Sequence, residues 1–304
     1  MLNLQAIFNF AILLFWVRVW STPANEFYFN PFLSATVRLT DSVLTFLRPV
    51  LRLPEQAAAC AVLLVLGAFK TLLLGRLGAS WSLTIGSVFQ FAPPAAGDLW
   101  APHFLYSALD AVLFFARLWT VYFLVQALSG QQRVSRASEA FAYFARPFSR
   151  LPFLAQPVVL LLLHGFLAVA LSRTGVLTET LPGPAPEAGK AAASPFLAGP
   201  LFVQLLKTVW LAVLSAADGL ALLTRALFIL ILGNFAAAIF QLGGLMVICH
   251  ETVEMLLGRF ARNRTLTGAG LDFTPLIFFF VANITYNGVR SGLYSLIHTP
   301  LFQS

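Results

Sequence analysis

Charged residues are scarce in this chain: 10% of its 304 residues are Asp, Glu, Lys or Arg, whereas 59% are hydrophobic. A soluble domain carries about 25% charged residues, and the mean hydropathy here is +0.83. Several stretches approach the roughly 20 apolar residues that a helix needs to cross a bilayer. These runs are continuous, so they predict helices and not the alternating pattern of barrel strands. The sequence therefore predicts an all-α, polytopic membrane protein.

Cysteine is also rare, since Cys60 and Cys249 are the two in the chain and both lie in apolar surroundings. Two isolated cysteines offer neither a disulfide framework nor a cysteine-rich metal site, and we expect them to be small buried hydrophobes. The sequence lacks the glycine-rich loop that binds phosphate in nucleotide-dependent enzymes. It also lacks three motifs of common catalytic sites, namely His-Glu-x-x-His, Gly-x-Ser-x-Gly and Cys-x-x-Cys. No enzymatic activity is expected.

Two nine-residue segments, 46–54 (FLRPVLRLP) and 144–152 (FARPFSRLP), are identical at six positions and lie 98 residues apart. We call them the first and second basic segments. Each precedes a long apolar run, and a match of this quality indicates an internal duplication. The predicted repeat units are residues 4–76, 104–172 and 214–294. Each is a pair of helices within a single membrane domain that covers residues 1–304.

Apolar runs predict six membrane spans, with amphipathic helices at the membrane surface between them. Asn30 and Pro31 are residue types typical of a helix N-cap and first position, and a narrow apolar stripe follows them. Arg48 precedes a proline, so this helix is expected to break or bend there. Basic amphipathic stretches are also predicted at 134–148 and 251–264. The six predicted spans are residues 2–20, 56–75, 104–128, 153–171, 220–242 and 275–293.

Two segments outside the spans affect the predicted topology. Residues 174–198 are rich in Pro, Gly and Ala, which is typical of a flexible linker. Residues 201–214 are apolar but contain Lys207, and we expect a helix there that does not cross the membrane. The first, third and fifth loops then hold ten arginines, and the second and fourth hold three basic residues outside the helix at 201–214. This positive-inside bias favours six spans with the basic loops in the cytoplasm.

Several motifs recur in a fixed order. Arg18 lies in the first span, Thr40-Asp41 and Arg48-Pro49 follow, and residues 270–275 read Gly-Leu-Asp-Phe-Thr-Pro. This order resembles the YggT family of small bacterial membrane proteins and its plastid relatives, and the resemblance touches all three units. The first two units lack the Asp-Phe-Thr-Pro element, and the third lacks Arg-Pro. The resemblance implies a bacterial inner-membrane location and a role in envelope organisation, osmotic response or cofactor assembly.

Three arginines, Arg18, Arg117 and Arg225, each fall in the first span of a unit. An arginine near the centre of a spanning helix costs about 2.5–3.5 kcal/mol on insertion scales. Arg18 either extends to the headgroups or is paired, whereas Arg117 and Arg225 are expected to be buried between helices beside a carbonyl or carboxylate. Asp110 and Asp218 lie seven residues before the two deeper arginines, out of direct reach, and could instead pair with an arginine of a neighbouring unit.

Asp272, Thr274 and Pro275 belong to the last of these motifs. Thr274 is expected to cap a helix whose first residue is Pro275, with the Asp272 carboxylate near the positive end of the helix dipole. The alternative is a docking point for a basic loop or a partner protein.

The resemblance raises one cofactor hypothesis, a haem bound between two histidines, because the plastid relatives of the YggT family act in haem attachment. His164 lies about eleven residues into the fourth predicted span, roughly 16 Å from its basic end. His250 is expected at or beyond the basic end of the fifth span, so the two histidines are too far apart in depth to bind one iron. No cofactor or metal is therefore expected, and His164 should be satisfied by a neighbouring carbonyl.

The arginines of the basic stretches are the predicted contacts for anionic headgroups or acidic partner loops, each worth about 1 kcal/mol. The sequence thus predicts a non-enzymatic scaffold or assembly factor that binds membrane lipids and other membrane proteins, and could form oligomers. No nucleic-acid partner is expected. The alternative is a small channel or transporter that uses intramembrane polar residues. The predicted contact residues are Arg48, Arg52, Arg146, Arg150, Arg259 and Arg262.

Overall fold

The computed structural model describes residues 4–20, 29–77, 83–86, 89–93, 100–129, 135–174, 176–179, 200–257, 267–268, 271–272 and 274–297. These residues form a predominantly helical bundle, which confirms the all-α class. The helices of the described residues are α1 (Leu4–Trp20), α2 (Pro31–Leu51), α3 (Glu55–Leu77), α4 (Trp100–Ser129), α5 (Arg136–Phe144), α6 (Gln156–Thr174), α7 (Leu201–Ile239), α8 (Gly243–Leu257) and α9 (Thr274–Ile297).

Four of these helices, α3, α4, α6 and α7, are long and apolar enough to cross a membrane, counted over the described residues. The first helix, α1, is also apolar but has 17 residues. The six-span count and the division into three repeat units remain predictions.

The first amphipathic helix, α2, begins where the sequence predicts. Asn30 has an extended backbone, and its side chain accepts a hydrogen bond from the Phe32 amide at 3.1 Å, with Pro31 in the first turn. A break at Arg48 is wrong, because α2 continues through Pro49 to Leu51 and is followed by the C-cap Arg52, whose backbone is left-handed with φ of 50°; a bend at this point stays a prediction. Pro49 lies in the last turn, where the missing amide costs one hydrogen bond and does not end the helix at once.

The second amphipathic helix, α5, lies beside α2. Ser135 caps α5 by accepting a hydrogen bond from the Ser138 amide at 3.0 Å, and the Ser138 side chain accepts one from the Ser135 amide. Asn30 Nδ2 donates to the Arg136 carbonyl at 2.8 Å. The predicted stretch 134–148 is therefore a shorter helix than expected, followed by a 3-10 turn at Phe148–Arg150.

A small antiparallel sheet covers the other end of the bundle. Its strands are β1 (Leu83–Ile85), β2 (Phe89–Ala92) and β3 (Val176–Glu179), in that order, with Gln90 opposite Thr178. The prediction of a flexible linker from residue 174 is therefore wrong for the four residues of β3, because backbone hydrogen bonds to β2 order them. A second sheet pairs β4 (Thr267–Gly268) with β5 (Leu271–Asp272).

The longest helix, α7, has 39 residues and is about 58 Å long, so it joins the predicted fifth span to residues 201–214. The expectation of a helix at 201–214 apart from the fifth span is wrong, and that residues 201–214 do not cross the membrane stays a prediction. Lys207 and Asp218 lie within α7 without interrupting it, and both residues are buried, at 4% and 7% exposure. One uninterrupted helix crosses a bilayer at most once, so both segments belong to one element.

The largest core cluster lies where the first sheet meets α4, α6 and α7. Phe91 and Ile85 of the sheet pack here with Tyr106 of α4, Leu171 of α6 and Leu214 of α7. The Tyr106 hydroxyl accepts a hydrogen bond from the Leu83 amide and donates one to the Phe91 carbonyl. The sheet is therefore anchored inside the bundle, and its β1–β2 turn reaches the middle of α7.

Candidate functional site: buried ion pairs between the helices

Arg18 of α1 joins the first three helices. Its guanidinium lies 2.6 Å from the Asp41 carboxylate of α2 and 2.5 Å from the Glu55 carboxylate at the start of α3. The Arg18 side chain is 8% exposed. Of the two alternatives, Arg18 is paired and does not extend to the headgroups. Glu55 supplies the second carboxylate.

Lys70 of α3 forms the deepest pair. Its ammonium lies 2.6 Å from the Asp110 carboxylate of α4, and the two side chains are 1% and 3% exposed. Lys70 also donates to Asn9 Oδ1 at 2.9 Å, and Gln5 Nε2 donates to Asp110 Oδ1 at 2.7 Å. The sequence reasoning missed Lys70 and both amides of α1. The available signal was a lysine isolated inside a long apolar run, which requires a buried partner.

Arg117 of α4 pairs with Asp218 of α7, with 2.7 Å between Nη2 and Oδ2. The same guanidinium nitrogen donates to the Thr84 carbonyl, and the Gly86 amide donates to Asp218 Oδ2 at 2.9 Å. The expected carboxylate partner of Arg117 thus comes from α7, within the predicted neighbouring unit. The β1–β2 turn completes the coordination of both charges.

His164 of α6 is fully buried and engages both ring nitrogens. Nε2 lies 3.1 Å from Thr120 Oγ1, and Nδ1 lies 2.8 Å from Ser215 Oγ. Two hydroxyl groups therefore satisfy the ring, where a carbonyl was expected. His250 of α8 is exposed and lies 3.4 Å from the Glu254 carboxylate. Within the described residues, no three His, Cys, Asp or Glu side chains are grouped as metal ligands.

Arg225 is where the structure contradicts the expected burial. Its side chain is exposed on α7, and Asp218 of the same helix is paired with Arg117. In the described part of the chain, Arg225 forms no ion pair. It lines a pocket of about 430 Å³ between α7 and α9, together with Thr224, Phe228, Asn283 and other residues.

The predicted contact arginines differ in their surroundings. Arg52 and Arg150 are exposed, and Arg48 is half exposed, with Nη1 3.7 Å from the Glu55 carboxylate. Arg146 packs over the Tyr143 ring at 3.7 Å and donates to the Trp20 carbonyl at 3.3 Å. It therefore ties the second basic segment to the end of α1. Arg259 and Arg262 lie outside the described residues.

The expected helix cap at the last motif is described for its backbone alone. The helix α9 starts at Thr274, with Pro275 in its first turn, which is within one residue of the predicted start. Asp272 lies in β5, opposite Thr267. The side chains of Asp272 and Thr274 lie outside the described part, so their predicted roles remain predictions.

Together the four ion pairs connect α1 to α2 and α3, α3 to α4, and α4 to α7. The Lys70–Asp110 and Arg117–Asp218 pairs are also held by additional hydrogen bonds, which is the condition for burying charges without a large penalty. Such pairs hold helices in register. Comparison of the chain with models of protein families, with curated proteins and with solved structures finds no match.

Proposed function

We propose that this protein is a non-enzymatic membrane scaffold or assembly factor, similar in role to the YggT family, of the bacterial inner membrane. The proposal rests on the observation that the buried charged side chains form ion pairs with one another. Lys70 and Asp110 neutralise each other, as do Arg117 and Asp218, at 2.6 and 2.7 Å. A conduit needs polar groups that face a path, whereas these groups face one another.

The exposed arginines of the basic segments provide the external contacts in this proposal. The Asn30–Arg136 hydrogen bond joins α2 to α5, and Trp16 Nε1 donates to the Arg146 carbonyl at 2.8 Å. Arg18, two residues after Trp16, pairs with Glu55, which directly follows the first basic segment. Both basic segments therefore lie near the carboxyl end of α1, and their Arg48, Arg52 and Arg150 are exposed. Such exposed arginines favour anionic headgroups or acidic loops of membrane proteins, at about 1 kcal/mol per contact.

Co-purification in mild detergent with quantitative mass spectrometry tests this function. The double variant Arg52→Gln/Arg150→Gln should lose a defined set of membrane proteins that the unaltered chain recovers. The matched control Arg76→Gln/Arg173→Gln removes two exposed arginines outside the basic segments and should retain that set. Equal recovery by all three forms would contradict the scaffold proposal.

A proton or ion transporter is the second candidate, and the buried Lys70–Asp110 pair with Gln5 and Asn9 is the observation that favours it. Ionisable residues inside spanning helices often mark transport paths. In this account, Lys70→Met would abolish a flux that the unaltered protein supports in proteoliposomes. The scaffold account expects no such flux.

A further inference from the structure

We infer that the pocket between α7 and α9 binds one anionic glycerophospholipid, with the lipid phosphate at Arg225. The inference rests on the proposed membrane location, and it goes beyond the surface contacts of the basic segments. It assigns a discrete site to a part of the chain for which the sequence predicts a buried arginine.

The charge of Arg225 is the first argument. Arg225 is exposed on a helix whose neighbouring side chains are exposed and apolar, with Phe228 at 46% and Ile229 at 67%. An arginine on such a surface is costly unless an anion meets it. The pocket residues include no Asp or Glu. A carboxylate with an electrostatic effect on Arg225 is that of Asp218, and it is in direct contact with Arg117 instead. The site is therefore cationic and complementary to a phosphate.

Asn283 of α9 adds a second donor. Its Oδ1 accepts a hydrogen bond from Asn287 Nδ2 at 3.1 Å, which leaves the Asn283 amide nitrogen available to donate. Thr224 lies on the opposite wall and donates its hydroxyl hydrogen to the Ala221 carbonyl at 2.9 Å. Thr224 can therefore accept but not donate. A headgroup with both a phosphate and a hydroxyl, such as phosphatidylglycerol, suits this combination of donors and acceptor.

The walls of the pocket suit an acyl chain. The rings of Phe228 and Phe279 pack with centroids 5.6 Å apart, and both line the pocket. Ile229 and Leu232 lie four and seven residues after Arg225, on the same face of α7. They are 67% and 52% exposed. An apolar stripe thus leads away from the arginine along the helix, which a lipid tail can follow and a free phosphate cannot use.

Native mass spectrometry of delipidated protein titrated with lipid tests the site. Phosphatidylglycerol should be retained at one molecule per chain, and phosphatidylcholine should not be. Arg225→Leu should weaken phosphatidylglycerol retention by about tenfold, as expected for the loss of one charge-assisted contact. The separate variant Arg225→Lys keeps the positive charge and should retain more phosphatidylglycerol than Arg225→Leu. The control Arg173→Leu, which removes an exposed arginine outside the pocket, should leave retention unchanged.

Three outcomes would overturn the inference: equal retention by Arg225→Leu and Arg173→Leu, displacement of the lipid by millimolar inorganic phosphate, or loss of a protein complex by Arg225→Leu without loss of lipid. The last outcome would indicate an acidic protein partner instead. Because Arg225 is exposed, its removal should not alter thermal unfolding. Partner recovery with Arg52→Gln/Arg150→Gln is measured separately, so failure of the lipid site and failure of the scaffold proposal are distinguishable.

Discussion

Arg117 of α4 and Asp218 of α7 form an ion pair of 2.7 Å across 101 residues of sequence. The Gly86 amide donates to the same Asp218 oxygen, so the pair also fixes the β1–β2 turn. Three separate parts of the chain therefore depend on one buried carboxylate. The pair is a direct physical link between the second and third predicted units, beside the His164–Ser215 hydrogen bond.

Arg117→Leu should lower the stability of the bundle, because it leaves the Asp218 carboxylate buried without its counter-charge. Removing one partner of a buried pair costs about 3–5 kcal/mol. Folded yield by size-exclusion chromatography and thermal unfolding in detergent measure the effect. Arg173→Leu is the control, because Arg173 is exposed and should tolerate the change. An unchanged melting temperature for Arg117→Leu would show that the pair has no structural role.

The Lys70–Asp110 pair should show strong coupling in a double-mutant cycle. Lys70→Met and Asp110→Leu should each destabilise the protein by about 3–5 kcal/mol. The combined variant should recover most of that loss, since well-packed apolar residues replace buried pairs at little cost. Additive losses, measured by thermal unfolding, would show that the two side chains do not interact.

Gly86→Ala should destabilise the contact between the sheet and α7. Gly86 has φ of +63°, and an added Cβ would lie 2.2 Å from Leu214 Cγ. A non-glycine residue in this conformation costs about 1–3 kcal/mol, and the clash adds to it. The matched control is Gly67→Ala in α3, where a Cβ meets nothing within 4 Å. If both variants unfold at the same temperature, the turn does not pack against α7.

Because β2 pairs with β3, cysteines introduced at opposite positions of these two strands should form a disulfide. Gln90 and Thr178 are directly opposite in the antiparallel register, a separation that suits a disulfide. In a chain with Cys60 and Cys249 replaced by alanine, Gln90→Cys/Thr178→Cys should cross-link on oxidation, as seen by a mobility shift after protease cleavage between the two positions. Thr84→Cys/Thr178→Cys should not, because β2 lies between β1 and β3. The reverse pattern would contradict the strand order.

The sequence predicted the helices well, because long apolar runs and caps such as Asn30 act locally. It missed the first sheet, since three- and four-residue strands in an apolar connection carry no distinctive pattern. Lys207 and Asp218 suggest an interruption of the apolar run, but both lie inside α7, where the fold buries them and Arg117 pairs with Asp218. The partners of Lys70, Arg117 and Arg225 depend on which helices are neighbours, which spacing within one helix does not reveal.

Ion flux in proteoliposomes tests most directly whether the buried charged side chains only pair with one another or line a transport path for ions or protons. The comparison uses the unaltered protein and the Lys70→Met/Asp110→Leu variant, each verified as folded. Our account predicts no proton or ion movement above that of empty liposomes for either form. A selective flux in the unaltered protein that the double variant abolishes would contradict it and favour transport.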